Sequence, residues 1–315
     1  AEMNYIEAAP RNLESGKRSV MLRHGHDFKY SPPLSAGLRK VTAVKNVGLR
    51  NVSLIGSTSQ GRAGGYEVGY YARYVDGFRS VDCALVYCAD KHGWLDSTVN
   101  AKVDKQFMFG KADFDVTDYD GHYGVAVDNC STWVAITNCH ARNIYKAITF
   151  GASGISSAAA SNTYRGIPRW ISGDGNSLWS GGNPKDNAHG LYEFHSPVQH
   201  ARLTNSYGAD GQEGISFDGG EDLVFEGFQI GGWTRQAIGA DGCYRMNGLK
   251  VGGGTINRRS LLAAGTRVAN GFNAAATAFD VTDANWINDI INDFSPALVQ
   301  IGTEKIQVGS RNAAN

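Results

Sequence analysis

A short motif recurs along this chain. A small residue is followed by an apolar one at Gly69-Tyr70, Gly93-Trp94, Gly124-Val125, Ala147-Ile148, Gly190-Leu191, Gly214-Ile215 and Ala237-Ile238. Successive motifs lie 24, 31, 23, 43, 24 and 23 residues apart. Four of the six intervals share one length; the other two are that length plus about 8 and about 20 residues. A constant period, interrupted at one phase, marks a solenoid whose additional residues leave the coil as loops.

The content of each repeat selects the kind of solenoid. Val125-Ala126-Val127, Trp133-Val134-Ala135-Ile136, Ile215-Ser216-Phe217, Leu223-Val224-Phe225 and Val52-Ser53-Leu54 are short runs with period-two apolar character. Gly, Asn and Asp separate them, as in Asp76-Gly77, Asp128-Asn129, Asp218-Gly219 and Asp241-Gly242. Amphipathic helix spacing is nearly absent. The expectation is an all-β, single-stranded parallel β-helix with coils of about 23 residues. Asn138 and Asn205 fall at one phase, as an internal Asn ladder would, and Cys130 and Cys243 share another.

Glycine supplies the turns this fold needs: 40 of 315 residues, about 13% against a usual ~7%, with no collagen period. Lys and Arg total 30 and Asp and Glu total 30, so the balance favours neither nucleic acid nor an anionic membrane surface as partner. No apolar run reaches the ~20 residues of a membrane-spanning helix, and no signal-peptide pattern opens the chain. Cys83, Cys88, Cys130, Cys139 and Cys243 are odd in number and form no CxxC pair, so they read as buried free thiols of a chain folded in a reducing compartment.

Residues 1–40 fit the period poorly and read as a cap or incoming coil. Residues 41–265 carry the β-helix, with loop insertions near 97–121 and 152–187. Residues 266–315 alternate over longer spans and read as a small β module.

Stacking turns one repeat phase into a surface column. The residue before each motif gives His92, Tyr123, Lys146, His189 and Glu213, five consecutive proton donors or acceptors about 5 Å apart. The adjoining phase adds Lys91, His122 and Tyr145, and the phase four later adds Arg73, Asp128, Asp218 and Asp241. A glycan-cleaving site needs acids, bases and cations aligned in this way, although turns before strands are also polar simply because they face water. The first insertion holds Asp113, Asp115, Asp118 and Asp120, a weak Ca²⁺ candidate without a complete Asp-x-Asp-x-Asp-Gly loop; no cofactor is expected. Arg165, Arg169 and Trp170 in the second suit sugar binding, since rings stack on sugar faces and Arg pairs with carboxylates.

Residues 41–260 resemble the pectate-lyase-like right-handed β-helix superfamily, which includes polysaccharide lyases, glycosidases, alginate epimerases and bacteriophage tailspikes. Phe279 to Ala284 and Ile301 to Ile306 resemble a β module recurring in phage tail fibres and spikes. Together these resemblances imply a homotrimeric tailspike, folded in bacterial cytoplasm and carried on the virion tail, that binds and cleaves a bacterial surface polysaccharide. Tyr123-Gly124 and Lys91-His92-Gly93-Trp94 look like coils of the alginate epimerases, but the Asp and His of the epimerase motif are missing.

Two reactions fit. Elimination at a uronate needs a cation on the sugar carboxylate (Lys146, Arg165 or Arg169), a base (His189 or Tyr123) and an acid (Tyr123). Hydrolysis needs two carboxyl groups, Glu213 with Asp210 or Asp218. Elimination of an acidic polysaccharide is slightly favoured. A non-catalytic glycan-binding spike is the rival from another class.

Overall fold

The computed structural model describes residues 6–12, 18–22, 41–56, 68–88, 90–110, 123–151, 168–179, 192–194, 198–209, 211, 213–217, 219–233, 236–239, 246–257, 297–301 and 304–308. Among these there is no helix, so none is long and apolar enough to cross a membrane. Three sheets of parallel strands run the length of the repeat region, one of seven strands and two of eight. Each coil lays down one strand in each sheet and then returns to the first, which is the parallel β-helix read from the spacing. The fourth coil, for example, consists of Tyr123–Asp128, Thr132–Thr137 and His140–Arg142.

The chain divides into two compact units, 1–262 and 263–315. In the first, Ile6–Asn12 and Arg18–Leu22 pair antiparallel ahead of the coils. In the second, Ala297–Ile301 and Glu304–Val308 form an antiparallel pair.

Like residues stack inside because parallel, in-register pairing places equivalent positions one above another. Val125, Ile148, Tyr192 and Ile215 are successive partners in the seven-stranded sheet. So are Leu95, Val127, Phe150, Phe194 and Phe217, all buried. The rings of Phe150 and Phe194 lie 4.8 Å apart. Burying each large apolar side chain contributes about 1.5–3 kcal/mol, and no coil achieves this alone.

The corner between the two eight-stranded sheets is made the same way in every coil. A single residue takes a left-handed conformation: Asn51, Asp82, Lys105, Asn138, Gly175, Asn205, Gly227 and Gly253, with φ between +47° and +64°. All but Lys105 are Asn, Asp or Gly, the residues for which this conformation costs least. Asn138 and Asn205 do share a phase, but it is this exposed corner and not the interior. The internal polar ladder is one residue later: Cys83, Gln106, Cys139, Asn176 and Ser206, all buried. Asn176 fills it by accepting from the Cys139 backbone N–H at 3.0 Å and donating to the Ile136 carbonyl at 3.0 Å. Cys83, Cys88, Cys130 and Cys139 are free and buried; Cys243 lies outside the described residues.

The loops also sit differently from the sequence reading. Lys102–Asp104 and Phe107–Phe109 fall within the expected first insertion, yet both are coil strands. Arg169–Asp174 and Ser177–Trp179 fall within the expected second, and they too are coil strands. For the three-residue strands the reason is that so short a run carries too little periodicity to be told from loop; Arg169–Asp174, with six residues, lies inside the longest interval, where the motif spacing no longer marks the coil.

Candidate functional site

The seven-stranded sheet carries a concentration of charge on the side away from its apolar core, and most of it is buried: Lys91, Asp96, Asp128, Lys146, Glu193 and Glu213 are each at most 8% exposed. Its strand register decides which residues are neighbours. Lys91 pairs with Tyr123, and Tyr123 with Lys146. Further along, Glu213 pairs with Gln236 at the same phase. Three of the five expected column members, Tyr123, Lys146 and Glu213, therefore share one flank. His189 lies outside the described residues.

His92 does not belong to this column. The coil-to-coil step from Lys91 to Tyr123 is one residue longer than the motif spacing implies, so Lys91 takes the outer position and His92 turns inward. Its ring is fully buried, with Nδ1 2.8 Å from the Tyr123 carbonyl and Nε2 2.9 Å from that of Phe109. Burial lowers its pKa, opposed by those two hydrogen bonds. His92 is a structural clasp, not a substrate-binding residue.

Arg169 and Trp170 are also displaced from their expected role. Both belong to the strand Arg169–Asp174 in the second sheet. Arg169 is buried, its Nε 3.4 Å from the Thr132 hydroxyl, while Trp170 is exposed and stacks on His200 at 4.1 Å. His122, Arg165, Asp210 and Asp218 lie outside the described residues, as do the four aspartates considered for Ca²⁺. Among the described residues no group of three or more His, Cys, Asp or Glu is placed to hold a metal ion.

Around Lys146 the geometry is close. Lys146 Nζ lies 2.8 Å from Glu193 Oε1 and 2.7 Å from Oε2. The same ammonium sits 5.5 Å from the Tyr123 ring centre and 5.0 Å from that of Tyr145. On the other side of Tyr123, Lys91 Nζ is 5.2 Å from its ring and bonds both oxygens of Asp90, at 2.9 and 3.1 Å. Tyr123 is thus held between two cations that each carry their own carboxylate. Burial, and then the Glu193 charge, raise its pKa well above the usual phenol, so it stays protonated and works as a donor.

Glu193 escaped the sequence reading, and its position is the most informative on this face. It lies between two aromatic residues in the short strand Tyr192–Phe194, pairing with Thr149 on one side and Ser216 on the other. Glu213, one coil on, accepts a 2.8 Å hydrogen bond from Gln236 Nε2 and reaches over Gly239, the next partner of Ser216. A Cβ on Gly239 would stand 2.8 Å from Glu213 Oε2, so glycine there leaves the carboxylate its room. Glu193 and Glu213 thus come from adjacent strands, with Glu193 beside Ser216 and the Glu213 carboxylate over the partner of Ser216 on the next strand. A charged residue inside an otherwise aromatic strand was the signal available for Glu193.

Charge is unevenly matched here. Among the described residues of this face, Asp90, Asp96, Asp128, Glu193 and Glu213 stand against Arg73, Lys91 and Lys146. Each cation already has a carboxylate: Arg73 with Asp96 at 3.1 Å, Lys91 with Asp90, Lys146 with Glu193.

No family model matches the chain, and no curated protein matches it in sequence. Among solved structures, ORF18 of Geobacillus virus E2 aligns with a TM-score of 0.48 and 14% sequence identity, over 69% of this chain and 41% of that one. The chain therefore spans under half the length of that protein.

Proposed function

We propose that this chain binds a polysaccharide along the outer face of the seven-stranded sheet and cleaves it by hydrolysis, with Glu193 and Glu213 as the carboxyl pair. One observation carries the reading: Glu193 and Glu213 come from adjacent strands, Glu193 beside Ser216 and Glu213 reaching over Gly239, the next partner of Ser216, which supplies the two carboxyl groups that glycoside hydrolysis uses. Glu193, bonded to Lys146, acts on the sugar carbon or on water, and Glu213, which accepts a hydrogen bond from Gln236, serves the departing glycosidic oxygen. Tyr123 donates a hydrogen bond to the substrate.

The resemblances in the sequence support a homotrimeric, tailspike-like protein of a phage virion acting on bacterial capsule, O-antigen or exopolysaccharide as the setting of this activity. A second reading, elimination at a uronate, is favoured by the Lys91–Tyr123–Lys146 row. There Lys146 would exchange Glu193 for the sugar carboxylate, and Tyr123 would protonate the leaving oxygen.

Incubation with purified bacterial polysaccharides separates these readings. New reducing ends without ultraviolet absorbance of an unsaturated sugar indicate hydrolysis, and both signals together indicate elimination. Binding with neither signal leaves a non-catalytic receptor-binding protein. Glu193→Gln and Glu213→Gln should each slow hydrolysis by roughly 10²–10⁴-fold; full activity in both removes the carboxylate pair.

A further inference from the structure

We draw no further inference here: the strongest candidate, the exposed Trp170–His200–Asp222 row at the corner of the second sheet, carries nothing because Trp170 stacks on His200, His200 Nδ1 pairs with Asp222 at 3.0 Å, and nothing in the structure shows what covers the ring surface left over.

Discussion

Lys146 and Glu193, 47 residues apart in the chain, meet on adjacent strands with the ammonium within 2.8 Å of both carboxylate oxygens and almost no exposure to water. Removing one partner takes the adjacent counter-charge from the other in a poorly solvated place. Lys146→Ala is therefore expected to destabilise the fold by about 3–5 kcal/mol, whereas Lys146→Met with Glu193→Leu should come close to wild-type stability. Urea unfolding of the two variants measures this. Equal losses in both would mean that packing, and not charge, dominates there.

His92 predicts an acid-sensitive fold. Its folded pKa is depressed, chiefly by burial, from an unfolded value near ~6.5. Below that value the unfolded chain takes up a proton that the folded chain resists. The stabilisation is thus complete above about pH 6.5 and is lost as pH falls towards the folded pKa. Urea midpoints measured between about pH 7.5 and 5 should decline, and His92→Gln should flatten that decline. An identical slope in the variant would show that other groups set it.

Corner residues offer a paired test of backbone strain. Lys105 bears a full side chain at φ +51°, so Lys105→Gly should raise stability by up to about 1 kcal/mol. Gly175, at φ +64°, would bring a Cβ within 2.7 Å of the Asn138 side-chain oxygen. Gly175→Ala should cost at least about 1–2 kcal/mol. Thermal melts of both variants decide whether the corner conformation is as demanding as its composition implies.

The buried thiols should be chemically silent in the native state. Burial pushes Cys139 up to about 12 and raises Cys130 as well. Since the thiolate is the reactive form, Cys83, Cys88, Cys130 and Cys139 should resist iodoacetamide until the chain unfolds. Mass mapping after labelling with and without urea reads this directly; rapid native labelling of Cys139 would contradict the packed interior.

The coil period was legible because parallel stacking demands that small and apolar residues recur in step. Gly124 shows why: a Cβ there would lie 2.1 Å from the Ala147 carbonyl of the next coil. The fine register was harder to read. Gly93 looks like the equivalent of Gly124, yet the pairing sets it beside Val125, because His92 occupies the tight position and satisfies its ring with two carbonyls. That single-residue slip exchanged Lys91 for His92 in the expected column. Tyr123, Lys146 and Glu213 were unaffected, since the 23-residue steps on their flank contain no such substitution. Glu193 was missed for a different reason. Its coil follows the longest interval, where counting from a motif no longer locates a phase, and only pairing with Thr149 and Ser216 reveals it.

The uniform pairing of each turn with only the turns before and after it makes the molecule extensible in single units. Gaining or losing one winding changes the length of the seven-stranded sheet by one strand spacing, ~4.8 Å, and disturbs no other pairing. Length along the stack can thus be inherited separately from the local arrangement around Glu193 and Glu213, so lineages can lengthen or shorten the solenoid without rebuilding that centre.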